Sequence, residues 1–300
     1  MRSIRSSLRG WKTAGTGLAV LIVVQAFGPG AGWSQEPAQP RIDEEIAKQE
    51  KIYRSQGADV PRGYVTGRTL SDYLELLPSG FCDALGTLGS SHRWLDIGAG
   101  AGHAILDYYA PEYGSAPGKI CAGADGKVRA VAMSIEDRRT DKWQQQAASL
   151  GEDRIRYLSG KRLRHYSAEE LGKFQIITDV YGGFSYTEDL SGFMGKVLSL
   201  LETGGSFYTM VQGVHLENGN GEPPWHQTKL VDAAGLDVKV CSWLKQTTCV
   251  KVGCESKSDW ASPTELINIK KVCSDVSVPR MKLLKYEAGN PPTRRFQLEP

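Results

Sequence analysis

The sequence predicts an α/β fold, a doubly wound and mostly parallel sheet with helices on both faces and one or more antiparallel strands at its C-terminal edge. Three observations carry this. Short apolar, strand-like runs alternate with helical segments between residues 93 and 211. The first run, Arg93-Trp94-Leu95-Asp96-Ile97, turns through Gly98-Ala99-Gly100-Ala101-Gly102 directly into a helical pattern. That is the layout of a parallel strand, a tight loop and a helix start, with glycine where the backbone needs φ > 0 or a close approach. After Gly235 the alternation stops, and strand-like runs at 236–243, 247–254 and 266–272 follow without long helices between them, so at least one must run antiparallel.

Taken in order, the chain begins with Arg2, Arg5, Arg9 and Lys12 ahead of an apolar run at 18–24 that extends to Phe27. An apolar core of about a dozen residues is short of the roughly 20 that span a bilayer and suits a secretory signal. Residues 1–35 are therefore expected to be a signal peptide or an uncleaved signal anchor, which places the body outside the cytoplasm, periplasmic or secreted; a non-functional segment would leave it cytoplasmic. Residues 36–92 are expected to form an N-terminal helical cap or lid. Residues 36–40 read as a linker, 42–56 as a charged amphipathic helix with Asp43, Glu44 and Glu45 in its first turn, 63–68 as a loop, and 70–77 as a helical run.

An α/β domain is expected over 93–275 and a C-terminal extension over 276–300. A helix runs from 102 to 109 and ends at Pro111; residues 112–127, rich in Gly, Ala and Pro, read as an insertion. The second strand is 128–135, followed by Glu136 and Asp137. Residues 140–150 are helical, 154–158 form the third strand, and Ser167-Ala168-Glu169-Glu170 has the form of a capping box. The fourth strand, Phe174–Asp179, runs into an acid and then Tyr181-Gly182-Gly183. A helix at 189–201 leads through Gly204-Gly205 into a fifth strand at 206–211.

Composition narrows the function. The formal charge of +2 comes from the four leader cations; the rest of the chain sets 32 basic against 34 acidic residues, which gives no electrostatic reason to expect nucleic acid as a partner. Six cysteines, an even number in an exported chain, permit a disulfide framework. Four lie within the last sixty residues, so at least one bridge is expected there, with Cys241–Cys249 the first pair to test. No Cys-x-x-Cys or Cys/His spacing suits zinc, and no metal is expected. No Gly-x-Ser-x-Gly elbow is present for a serine hydrolase. Tyr157 and Lys161 match a Tyr-x-x-x-Lys dehydrogenase spacing, but the tyrosine falls in a strand and no serine lies thirteen residues upstream. The basic run 161–165 reads as a solvated face, His103 as a surface residue at a helix start, and Trp225-His226 as loop residues that pack or touch substrate.

Leu95–Gly102, Phe174–Asp179 with its loop, and Leu200-Leu201-Glu202-Thr203-Gly204-Gly205-Ser206-Phe207, in that order, make residues 93–272 resemble the Rossmann-like (class I) S-adenosylmethionine-dependent methyltransferases. The resemblance implies S-adenosylmethionine as cofactor and a small or medium-sized molecule as methyl acceptor. It implies that Asp96 organises the loop and the cofactor's amino-acid end, and that Gly98, Gly100 and Gly102 admit the cofactor to the backbone. It further implies that Glu136 accepts from the ribose hydroxyls, and that Asp179 and Tyr181 line the slot where donor and acceptor meet. Tyr181 and His226 are the candidates for a catalytic base. The chain departs from the pattern in three ways. Asp96 to Glu136 spans 40 residues where about 20 is usual, which the insertion accounts for. Ser134 stands where the ribose acid often sits, with Glu136 two residues on. No acid follows the third strand, so the adenine contact is undetermined. The alternatives are an exported ligand-binding or structural protein on a degenerate methyltransferase fold and, below it, an NAD(P)-dependent oxidoreductase.

Overall fold

In the computed structural model the chain divides into two units, residues 1–39 and 40–300. The structure describes residues 67–109, 121, 127–187, 189–212, 214–215, 229–231, 237–257, 264–280, 284–287 and 293–296, all in the second unit. The apolar leader, the linker, the 42–56 helix, Pro111, most of the insertion and Trp225-His226 lie outside the described residues.

Among the described residues two short helices come first. In α1 (Leu70–Leu76), Thr69 and Asp72 form a reciprocal capping box that satisfies the first free amides. Leu70, Tyr73 and Leu77 lie on one stripe and are buried. With Phe81 and Leu85 of α2 (Gly80–Gly86) they pack against Trp94 and Tyr208 of the sheet in one continuous core. The residues just ahead of 93 thus share their core with the first strand.

The central sheet contains β1 (Arg93–Ile97), β2 (Arg129–Met133), β3 (Ile155–Leu158), β4 (Phe174–Asp179), β5 (Leu201–Gln212), β9 (Val250–Lys257) and β10 (Thr264–Lys271), in the order β3-β2-β1-β4-β5-β10-β9. The first five are mutually parallel; β10 pairs antiparallel with both β5 and β9. Helices α3 (His103–Tyr109), α4 (Asp141–Leu150), α5 (Ala168–Leu171), α6 (Gly183–Tyr186), α7 (Leu190–Leu200) and α8 (Val240–Leu244) connect them, with a 3₁₀ turn at Leu163–His165. Short pairings outside the main sheet join β7 (Lys229–Val231) to β8 (Asp237–Lys239), and β6 (Val214–His215), β11 (Leu284–Glu287) and β12 (Thr293–Phe296) to one another. Period-two alternation sends Leu95, Val131 and Ile177 into one core and Trp94, Ala130 and Ile176 into the other, so both faces are covered as a doubly wound sheet requires.

Three sequence expectations are corrected. The 236–243 run is not one strand: β8 ends at Lys239 and Val240 begins α8, whose Val240, Cys241, Trp243 and Leu244 are buried. Cys241 therefore does not flank a hairpin with Cys249, and the expected Cys241–Cys249 bridge is replaced by Cys241–Cys254 and Cys249–Cys273; a third bridge joins Cys82 to Cys121. The fifth strand begins at Leu201, which pairs with Phe174; the ladder resumes at Ser206 opposite Ile176, and Gly204, at φ 89°, lies in the irregular stretch between. Buried Lys271 donates to the carbonyls of Leu198 and Leu201, satisfying the end of α7 where the chain turns into β5.

Candidate functional site

The glycine loop leaves the C-terminal end of β1, where open α/β sheets place their ligands. Gly98, Gly100 and Gly102 all have positive φ, at 75°, 56° and 76°. The amides of Gly98 and Ala99 both donate to Met133 O, at 2.8 and 3.0 Å, so the loop hangs on the end of β2. A Cβ on Gly98 would overlap the backbone of Gly182, and one on Gly182 would overlap Ile97 O. The loops that follow β1 and β4 therefore meet backbone to backbone, and only glycine permits it. At Gly102 a Cβ would run into the Trp143 ring.

Asp96 lies beneath this loop with no exposed surface. Tyr73 Oη donates to its carboxylate and sits 2.9 Å from each oxygen; Thr178 Oγ1 donates to Oδ1 at 2.7 Å and accepts from Trp94 Nε1 at 2.8 Å. Burial drives the Asp96 carboxyl up to about 7, against the opposing hydrogen bonds from Thr178 and Tyr73; Asp179 adds to the rise and Arg68 opposes it. Burial, then Asp96, raises the Tyr73 phenol well above its ordinary value. Asp96 is thus sealed within the strand that carries the loop.

Asp179 ends β4 and is also fully buried. Its Oδ1 accepts from Gly182 N and its Oδ2 from Phe184 N, both at 2.9 Å, so the acid holds the turn into α6. Between them Tyr181 takes a left-handed backbone, φ 53°, which is uncommon for a bulky residue. The Arg68 guanidinium lies 4.6 Å from its ring centroid.

On the other side of the glycine loop, β2 ends at Met133, so strict alternation does not reach Glu136. The Glu136 carboxylate pairs with Arg138 and stays partly exposed. Tyr157, on β3, reaches across: its hydroxyl donates to Gly100 O, accepts from Arg138 N at 3.2 Å and lies 3.4 Å from Glu136 O. Its ring packs edge-on against Trp143, centroids 5.2 Å apart. The glycine loop and the Glu136 loop are thus neighbours within the reach of one phenol.

Of the residues that the sequence singles out, the structure brings Asp96, Gly98, Gly100, Gly102, Asp179 and Tyr181 together and sets Glu136 on the adjoining loop. His226 lies outside the described residues. Sequence reasoning missed Tyr73, Thr178 and Trp143, which hold the site rather than form a motif, and read Tyr157 only in its Tyr-x-x-x-Lys spacing with Lys161. Of the three missed, Tyr73 left a signal, its place on the 70–73–77 stripe. It also missed Asp107, a buried acid of α3 that accepts from the first amide of α1, Leu70 N, at 2.9 Å. Burial lifts this carboxyl up to about 6, while the Leu70 amide opposes the rise. Among the described residues no cluster of His, Cys, Asp and Glu could hold a metal ion, and no helix is long and apolar enough to cross a membrane.

No family model and no curated protein matches the chain. Solved structures do match. An rRNA methylase from Streptococcus thermophilus shares 13% identity over 64% of this chain and 94% of its own, with a TM-score of 0.38. Geranyl diphosphate methyltransferase in complex with GPP and sinefungin shares 12% over 65% and 77%, at 0.42. Haemonchus contortus phosphoethanolamine N-methyltransferase 2 in complex with S-adenosyl-L-methionine shares 10% over 66% and 54%, at 0.40. The strand order itself, five parallel strands with an antiparallel strand set between β5 and β9, gives this chain the Rossmann-like methyltransferase fold.

Proposed function

We propose that the protein is an S-adenosylmethionine-dependent methyltransferase acting on a small or medium-sized acceptor. The observation that carries this reading is the juxtaposition at the C-terminal edge of β1 and β2: a loop of three left-handed glycines beside a loop bearing the partly exposed carboxylate of Glu136. Such a pair suits a ligand with a polar chain that needs close backbone approach and a sugar whose hydroxyls need an acceptor.

On this reading Gly98, Gly100 and Gly102 face the cofactor with backbone, and Glu136 takes the ribose hydroxyls once its pairing with Arg138 yields. Asp96 and Asp179, both sealed, are positioning residues: the first fixes the strand under the loop, the second fixes the Tyr181 turn. Tyr181 stands at the edge where an acceptor would enter, and His226 is the other candidate for drawing off a proton. When bound, the cofactor supplies an electrophilic methyl group on sulfur. What the chain contributes is alignment of the acceptor atom in line with that bond and exclusion of water, so no covalent protein nucleophile is needed.

The three disulfides fit an oxidising compartment. With the apolar leader they support export of the protein, by a cleaved signal or a retained N-terminal anchor. Fusing residues 1–40 to a reporter active only after export tests this; an expressed but inactive reporter rejects it.

The deciding experiment is calorimetry with S-adenosylmethionine and S-adenosylhomocysteine, with NAD as control. Binding of the two sulfur ligands and not of NAD is expected. Asp96→Asn and Glu136→Ala should each weaken it, and Ser134→Ala should matter little. Binding of neither sulfur ligand rejects the methyltransferase reading.

A further inference from the structure

We propose that Tyr157 is a positioning residue of the ligand cleft, clamping the glycine loop to the Glu136 loop and so fixing the distance between the two surfaces a ligand must touch. This rests on the methyltransferase reading for the identity of that ligand, but the clamp itself stands on geometry. Three parallel strands deliver three loops to one edge, and loops leaving adjacent strands have no ladder to hold them in register beyond the last paired residue. Here the ladder between β1 and β2 ends at Ile97 and Met133. Past that point the Gly98 and Ala99 amides still reach Met133 O, and Gly100 and Arg138 are joined through a side chain from a third strand.

The Tyr157 hydroxyl is suited to the task because it uses both its functions. Its oxygen accepts from Arg138 N–H and also bonds the Ser134 side chain, while its own proton goes to Gly100 O. The ring cannot swing away, because Trp143 packs edge-on against it and Trp143 is itself held against Gly102. One aromatic pair therefore touches two of the three loop glycines from below. The Arg139 guanidinium, 5.7 Å from the Tyr157 ring centroid, ties the far end of the Glu136 loop to the same ring. Its hydroxyl is thus spent on backbone groups of two different loops, both of which face the proposed ligand.

The test is Tyr157→Phe, which keeps the ring and removes only the oxygen. Hydrogen exchange without ligand reads the clamp directly: the Arg138 amide should lose protection about tenfold, as expected for one lost hydrogen bond. S-adenosylhomocysteine affinity, by calorimetry, should fall about tenfold. Combining Tyr157→Phe with Glu136→Ala should weaken binding by less than the product of the single effects, because both act through one loop. Tyr109→Phe, which removes a phenol hydroxyl that donates to Val128 O and Arg154 O at the opposite ends of β2 and β3, should change affinity less than about twofold. Unchanged Arg138 exchange in Tyr157→Phe overturns the clamp, as does unchanged affinity where the wild type binds. If the wild type binds no sulfur ligand, the methyltransferase reading fails, and Arg138 exchange alone decides the clamp.

Discussion

The phenol oxygen of Tyr73 sits 2.9 Å from both carboxylate oxygens of Asp96, so a helix ahead of the sheet donates straight into the strand that carries the glycine loop. Tyr73→Phe leaves that buried carboxylate with the Thr178 hydroxyl as its side-chain donor among the described residues. An under-satisfied buried group costs about 1–3 kcal/mol, and denaturant unfolding should show a loss of that size. A midpoint unchanged within error would mean that the contact is dispensable.

Asp96 should also imprint a pH dependence on stability. Its carboxyl, raised to about 7 in the fold, would titrate near 3.9 in the unfolded chain. Between those values the folded state holds the extra proton, so its contribution is complete below about 4 and is lost as pH rises through 7. Asp107, raised to about 6, acts with the same sign. Compared with Asp96→Asn, the wild type should lose stability over this window by up to about 1.4 kcal/mol per pH unit. Parallel stability curves for the two proteins would rule this out.

The Gly98–Gly182 contact predicts an asymmetry among glycines. Gly98→Ala or Gly182→Ala must push two backbones apart and should cost more than about 2 kcal/mol. Gly160→Ala, also at positive φ but in open space, should cost only the conformational strain, about 1 kcal/mol. Thermal unfolding of the three variants ranks them; equal losses would refute the close approach.

Non-reducing peptide mapping should recover Cys82–Cys121, Cys241–Cys254 and Cys249–Cys273. Bridges spanning 39, 13 and 24 residues each stabilise by about 3–4 kcal/mol on loop-closure entropy, so replacing any pair with alanine should lower the melting temperature by several degrees. Recovery of Cys241–Cys249 would reject this connectivity.

The parallel half of the sheet was legible because each strand announces itself twice, by an apolar run and by the turn chemistry that ends it. Arg93–Ile97 into Gly98 and Phe174–Asp179 into Gly182 are such cases. The 236–243 run misled because Val240, Cys241, Trp243 and Leu244 are buried in a short helix, and a brief apolar run does not distinguish strand from buried helix. In the site, the glycines and acids were legible as a motif, since backbone conformation and charge constrain residue type locally. Tyr157 and Thr178 were not, because their roles depend on partners 57 and 82 residues away, and register between strands is not written in either strand alone.

The bridges 241–254 and 249–273 interleave: each closes a loop that contains one cysteine of the other. A chain that oxidises as it threads out of a channel, N-terminus first, presents Cys241 and Cys249 together before either native partner has emerged. Proximity then favours the wrong pair, and the native pattern requires that bond to be broken and exchanged. The C-terminal edge of the sheet would therefore mature under the control of thiol exchange rather than of the order of emergence, and its yield should depend on a disulfide-shuffling catalyst where the parallel half does not.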